Sequence, residues 1–337
     1  MLKQVLVGKS GLRSSEIALG TMTFGDPRPW GCSADEARKI MARFVDGGGT
    51  TIDTAPNYAD GASEEIVGDF TAGRRDQLVL STKYTAAASA HPLAGGNSRR
   101  TMMLSADGSL RRLKTDRIDV FWLHFWDGTT PLEEILRAAD DLVRAGKILY
   151  FGLSDTPAWL SSRAVTLAET LRLTPVVAIQ AEYNAATRGI ERDLVPMSEA
   201  LDLAVFCWGP LGAGALAGGN DPRRQSADRM SPTLCEFRHA ISGLAERSGQ
   251  STRRLALRWL MESGRNRIPI LGARTEEQMA ELLADAQEPI NADLFAEVDA
   301  LAKPGKLFPS PLIGSSYLRK FALGQPDLFT GSSRARS

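Results

Sequence analysis

Eight short apolar runs recur along the chain, and this recurrence, with helical patterns between the runs, restricts the fold more than any other feature. The runs cover 16–20, 50–54, 78–83, 118–124, 148–154, 176–180, 203–208 and 267–272. Most are continuously apolar rather than alternating, as expected of parallel strands covered on both faces. Between them, Ser33-Ala34-Asp35-Glu36 is a capping-box pattern that opens a helix to about Asp46, and Gly47-Gly48-Gly49 stops it. Pro131-Leu132-Glu133-Glu134 opens another, with Leu132, Ile135, Leu136, Leu142 and Val143 as its apolar stripe and Gly146 at its end. Helical patterns also occupy 63–73, 100–113, 157–171 and 275–286. Strand–helix alternation predicts a parallel sheet, and eight units predict an α/β fold closed into a (β/α)8 TIM barrel. A doubly wound open sheet is the competing arrangement on pattern alone.

Three segments fall outside the repeat. Residues 3–12 predict a small N-terminal β-hairpin, 215–232 a polar excursion after the seventh strand, and the tail after Pro304 a long C-terminal loop or lid. The expected organisation is one barrel domain over 1–337, with 1–15 as the hairpin and 304–337 as the tail. At 337 residues the length suits such a barrel, which commonly takes roughly 250 residues or more. Lysine plus arginine equals aspartate plus glutamate at 40 each, so no electrostatic footprint for nucleic acid or an acidic membrane surface exists. No stretch approaches the ~20 apolar residues of a membrane helix, and Met1-Leu2-Lys3-Gln4-Val5 lacks a signal-peptide core. Cys32, Cys207 and Cys235 are far apart and odd in number, which predicts neither disulfides nor a zinc site. The expectation is a reduced, cytoplasmic protein with no nucleic-acid or membrane partner; the sequence leaves its oligomeric state open.

Chemistry concentrates at the ends of consecutive runs. Asp53 stands one residue before the end of the second, Lys83 and His124 end the third and fourth, and Tyr58 follows five residues after Asp53. A tyrosine beside a lysine and a carboxylate, with a histidine to hold a carbonyl oxygen, can deliver a proton during carbonyl reduction by a nicotinamide cofactor. Each residue alone has a plainer reading. Asp53 and Lys83 could be a structural ion pair, Tyr58 an anchored surface aromatic, His124 a core histidine, and Trp208 a core tryptophan. Convergence at adjacent strand ends favours the chemical reading. No Gly-x-Gly-x-x-Gly follows the early strands, but Gly212-Ala213-Gly214 follows the seventh, where barrels often bind phosphate. That predicts a phosphate-bearing cofactor without a Rossmann domain.

Over nearly its whole length the chain resembles the aldo-keto reductase family. The resemblance rests on Leu19-Gly20-Thr21-Met22-Thr23-Phe24-Gly25, on Asp53-Thr54-Ala55-Pro56-Asn57-Tyr58 followed by Ser63-Glu64-Glu65-Ile66-Val67-Gly68, on Lys83 and His124, and on Gln180-Ala181-Glu182-Tyr183-Asn184 and Gly209-Pro210-Leu211-Gly212. The resemblance implies that Tyr58 is the general acid, that Lys83 stabilises its phenolate, that Asp53 orients Lys83, and that His124 donates to the substrate oxygen. It also implies NADPH as cofactor, reached by Gly20, Thr21 and Asp53 from the first strands and with Ser154, Asp155 and Gln180 near the carboxamide and Trp208 stacked on the nicotinamide. Gly209, Pro210, Leu211, Gly212 and Gly214 would lie along the pyrophosphate. Gly272, Ala273, Arg274, Gln278 and Glu281 would meet the adenosine end, Arg274 at the 2′-phosphate. Asp155, Leu282 and Trp208 depart from the commoner asparagine, asparagine and tyrosine.

Substrate selection is expected in the loops at the barrel mouth. Phe24, Trp30, Tyr58, His124 and Trp126 are the expected contacts, with Trp122, Phe125, Phe308 and Tyr317 as further walls. So many aromatics predict an apolar or aromatic carbonyl substrate. Two other functions stay open: a slow NADPH-binding redox sensor, and a metal-dependent hydrolase. The second is opposed by the spacing of His91, His124 and His239, which provides no close ligand set.

Overall fold

A computed structural model of the protein describes residues 1–87, 89–218, 232–305, 310–313, 315 and 320. Strands β1 (Gln4–Leu6) and β2 (Arg13–Ser15) pair antiparallel as the N-terminal hairpin. Eight parallel strands then close a barrel: β3 (Ala18–Gly20), β4 (Thr51–Asp53), β5 (Val79–Tyr84), β6 (Ile118–Leu123), β7 (Ile148–Ser154), β8 (Val176–Glu182), β9 (Ala204–Trp208) and β10 (Arg267–Leu271), with β10 paired to both β9 and β3. Closure excludes the open doubly wound sheet. The α-helices among the described residues are α1 (Ala34–Asp46), α2 (Ala62–Thr71), α3 (Arg99–Arg112), α4 (Leu132–Arg144), α5 (Ala158–Thr170), α6 (Leu194–Ala200), α7 (Pro232–Ser248), α8 (Thr252–Glu262), α9 (Glu276–Gln287), α10 (Ala292–Leu301) and the short α11 (Ser310–Ile313). The sequence pattern missed α6, α7, α8 and α10.

Two apolar layers hold this architecture. Inside the barrel, Val120, Trp122, Ala178, Phe206, Ile268 and Ile270 pack together, and Val7 from the hairpin joins them as a plug. Trp122 meets Phe206 edge-to-face at 5.2 Å. Burying an indole of about 200 Å² is worth on the order of 5 kcal/mol in gross transfer energy. Room for it exists because β7 carries Gly152, where a Cβ would stand 2.3 Å from the Trp122 ring. The outer layer sets Leu19, Ile52, Phe121 and Leu123 of the strands among helix residues such as Ile40, Phe44, Ile135 and Leu142. Strands covered on both faces must be apolar throughout, which explains why β6 is buried at every position.

Local signals act partly as expected. Ser33 caps α1 by accepting from the Glu36 N–H. The Glu36 carboxylate does not complete a capping box; it accepts from Glu276 N at 2.8 Å and ties α1 to the start of α9. Barrel closure makes those helices neighbours, and the unpaired N–H groups of α9 attract the nearest carboxylate. Ser63, at the start of the expected helical stretch, does not cap a helix. It lies buried inside α2, whose N-cap is Gly61, and its hydroxyl bonds to Thr21 and Thr54, bolting α2 to the ends of β3 and β4.

The C-terminal expectation is only partly visible. Helix α10 precedes Pro304, and most residues of the expected tail, including Phe308 and Tyr317, lie outside the described residues, as do 219–231 of the polar excursion. No helix among the described residues is long and apolar enough to cross a membrane.

Candidate active site

The barrel brings Asp53, Tyr58, Lys83 and His124 together at the C-terminal ends of β4, β5 and β6. Asp53 is the last residue of β4 and Lys83 the penultimate residue of β5, while His124 directly follows β6. Tyr58 opens the 3₁₀ turn Tyr58–Gly61, which returns the chain from β4 to α2. Asp53 and Lys83 are almost wholly buried. The Lys83 ammonium donates to Asp53 Oδ2 at 2.6 Å, to the Thr54 carbonyl at 2.8 Å and to the Tyr58 oxygen at 3.2 Å. These contacts use all three N–H bonds of the ammonium. The Tyr58 oxygen therefore accepts from Lys83, and its own proton is left to point elsewhere.

Asp53 is held just as firmly. Its Oδ1 accepts from Ser81 Oγ at 2.5 Å and from Gln180 Nε2 at 3.2 Å. Burial alone would drive the Lys83 ammonium toward neutrality; the charge of Asp53, and then that of Tyr58, reverses this and holds its pKa above the ordinary lysine value. His124 lies edge-on to Tyr58, with ring centroids 6.4 Å apart. Burial, then the nearby Lys83 charge, pushes its pKa down to about 3, so the imidazole is neutral at ordinary pH. Its buried Nδ1 has no hydrogen-bond partner among the described residues. Ser81 and the Thr54 carbonyl were not among the expected site residues. A signal for Ser81 was present: it precedes Lys83 by two on one strand, so both side chains face the same side.

The other expected residues follow the barrel rim. Thr21 is fully buried and donates through both N–H and Oγ1 to the Asp53 carbonyl, at 3.0 and 3.1 Å, so it braces the strand end. Gly20 pairs in register with Asp53. Ser154 ends β7 buried, and Asp155 follows it with a left-handed φ of +40°. The Asp155 carboxylate accepts from Trp208 Nε1 at 3.0 Å. Burial raises the Asp155 pKa against that hydrogen bond. Glu182 at the end of β8 is raised as well, first by burial and then by the Asp155 charge. Trp208, in register with Glu182, keeps its indole 37% exposed.

Beyond Trp208, φ is positive at Gly209, Gly212, Ala213 and Gly214, and Pro210 and Leu211 complete a tightly curled loop. Three successive left-handed residues, two of them glycine, are a backbone that side chains would disfavour. Asn184 pins the loop by donating to the Gly209 carbonyl at 2.9 Å. Gly272 and Ala273 lead from β10 to α9, which is capped by Thr275. Gln278 accepts from the Arg274 N–H at 3.0 Å. Glu281 is engaged by Arg253 of α8 at 2.6 Å, and Leu282 is buried in the outer core. This arc suits a dinucleotide, with a half-exposed indole for a flat ring, then a curled glycine-rich backbone, then a helix N-terminus.

The expected substrate walls divide. Phe24 is fully buried in the outer core and Trp122 fully buried inside the barrel, so neither can wall the mouth. Phe24 belongs to the core cluster that the helices share, and Trp122, on β6, stands two residues before His124 and so one layer deeper in the barrel. Trp30 is 40% exposed, beneath the Arg28 guanidinium at 4.7 Å, and Phe125 is 41% exposed beside His124. Trp126 is half-buried and meets Trp159 edge-to-face at 5.8 Å. Trp159, at 60% exposure, was not anticipated, because its position near the start of α5 reads as an ordinary helix residue.

The profile of the Aldo/keto reductase family matches residues 16–303. Among the relatives, a norsolorinic acid reductase of Aspergillus flavus is 32% identical over 88% of this chain and 80% of its own length. An aryl-alcohol dehydrogenase [NADP(+)] of Phanerodontia chrysosporium is 35% identical over 80% of this chain and 77% of its own. Norsolorinic acid reductase B of Dothistroma septosporum is 33% identical over 88% and 80%. The chain belongs to the aldo/keto reductase family. It is an oxidoreductase acting on carbonyl and alcohol groups, in a family that uses nicotinamide cofactors.

Proposed function

We propose that this protein reduces an aromatic aldehyde or ketone to the alcohol with NADPH, reversibly, with Tyr58 as the proton donor. The observation that carries the reading is the Tyr58 oxygen 3.2 Å from a Lys83 ammonium whose other two donors are taken by Asp53 and Thr54. A positive charge so placed stabilises negative charge developing on that oxygen as the proton leaves. Asp53, fixed by Ser81 and Gln180, keeps the ammonium charged and aimed. His124, neutral and partly open to the mouth, donates to the substrate oxygen and sets it against Tyr58. NADPH, when bound, supplies the hydride to the carbonyl carbon. In the opposite direction the Tyr58 phenolate accepts the alcohol proton.

Trp208, Asp155, Ser154 and Gln180 would hold the nicotinamide end. The loop at 209–214 would meet the pyrophosphate, and Arg274 with the α9 N-terminus the 2′-phosphate. For NADPH over NADH, the Arg274 guanidinium and the NADP(+) in one relative's name are the support. Trp30, Phe125, Trp126 and Trp159 would form an aromatic rim that suits an aryl substrate, and the aryl alcohol in the name of the Phanerodontia chrysosporium relative points the same way. The test is oxidation of NADPH by 4-nitrobenzaldehyde, with Tyr58→Phe and NADH in parallel. Turnover that prefers NADPH and falls roughly 10²- to 10⁴-fold in the variant is expected. Undiminished turnover in Tyr58→Phe would remove the tyrosine from its role, and NADPH binding without turnover of any aryl carbonyl would favour a sensor.

A further inference from the structure

The rim near Trp208 carries charge that proton delivery does not use. Asp53 and Lys83 cancel each other across 2.6 Å, and His124 is neutral. Asp155 and Glu182 remain. Neither has an ion-pair partner among the described residues, and they lie close enough for the Asp155 charge to act on Glu182. Asp155 is fixed by its strained backbone and by the Trp208 N–H, so its charge sits at the edge of the exposed indole. Glu182 flanks the same residue from the neighbouring strand, in register with it. Lys83 is the cation that faces Asp155, and it is already committed to Asp53.

We propose that Asp155, seconded by Glu182, makes the Trp208 end of the groove discriminate between the oxidation states of the cofactor, favouring the positively charged oxidised ring over the neutral reduced one. This rests on the placement of the nicotinamide against Trp208 proposed above. The two forms carry the same phosphates and the same adenosine, so their difference in affinity isolates the charge on the ring. A fixed negative field stabilises a ring that has given up its hydride. The bound equilibrium therefore leans toward carbonyl reduction, and the oxidised cofactor leaves slowly. An asparagine at position 155 can keep the hydrogen bond to the indole while removing the charge, which separates field from geometry.

The experiment is calorimetric titration of the purified protein with NADP+ and with NADPH separately, for wild type, Asp155→Asn and Glu182→Gln. Asp155→Asn should raise the ratio of the NADP+ to the NADPH dissociation constant roughly tenfold, almost wholly by weakening NADP+. Glu182→Gln should move it the same way by a smaller factor, and provides an independent reading if the first variant folds poorly. Ratios within twofold of wild type in both variants would overturn the proposal, even if both cofactor forms bound more weakly. Failure of wild type to bind either form would overturn the cofactor placement itself, and the inference with it.

Discussion

Replacing Lys83 by methionine tests whether the buried pair is organised as the geometry indicates, independently of turnover. The side chains of Lys83 and Asp53 are 1% and 4% exposed and 2.6 Å apart. Removing one member of such a pair leaves a buried charge uncompensated, which costs about 3–5 kcal/mol. Here Asp53 retains Ser81 Oγ and Gln180 Nε2 as donors, so the lower end, about 3 kcal/mol, is expected. Adding Asp53→Asn removes that stranded charge, and the double variant should recover on the order of 2 kcal/mol relative to Lys83→Met alone. The assay is urea unfolding followed by tryptophan fluorescence and circular dichroism, with the slope checked for constancy. Lys83 has a raised pKa in the fold. Its contribution is therefore complete below the unfolded lysine pKa and is lost as pH climbs through the folded value, so the deficit should be fully present at neutral pH. A Lys83→Met protein within 0.5 kcal/mol of wild type, on the order of measurement error for such series, would refute the reasoning. So would a double variant less stable than Lys83→Met.

His124, with its pKa near 3, should stay neutral at pH 5, as read by nitrogen-15 shifts of the imidazole. Its contribution to stability is complete above the unfolded histidine pKa and is lost as pH falls toward 3; a midpoint near the ordinary histidine value would contradict the burial argument. Gly152→Ala should cost roughly 1–3 kcal/mol in urea unfolding, because the new methyl meets the Trp122 ring at 2.3 Å. A neutral result would mean that the barrel interior relaxes freely. Trp159→Ala should raise KM several-fold for 4-nitrobenzaldehyde and leave that of a short aliphatic aldehyde unchanged; equal effects on both would remove Trp159 from the substrate rim.

Much of this molecule was legible from order along the chain. The eight strands were visible because a strand covered on both faces must be apolar throughout, and the run at 148–154 coincides with β7. Helices with caps or strong stripes, such as α1 and α4, were visible for the same kind of local reason. Helices α6 and α10 were not: α6 has only seven residues with a proline inside, and α10 buries a single residue fully, so neither shows a clear apolar stripe.

Asp53, Tyr58, Lys83 and His124 were legible as candidates because their spacing sets them at successive strand ends, where a closed parallel barrel must bring them to one mouth. Their candidacy is determined by sequence alone, since the period of each strand and the succession of strands along the chain are read locally, while closure of the barrel is tertiary. What each side chain touches was decided by closure. Ser81 and Gln180 converge on Asp53 from strands far apart in sequence, Glu36 turns from its own helix to the start of α9, and Asp155 meets Trp208 across the rim. Burial was decided there too, for Phe24 and Trp122 look like rim aromatics in the sequence and are core residues in the fold. The physical reason is range. Periodicity and capping act over a few residues, whereas hydrogen-bond partners, desolvation and charge act over a few ångströms between residues that only the tertiary structure makes neighbours.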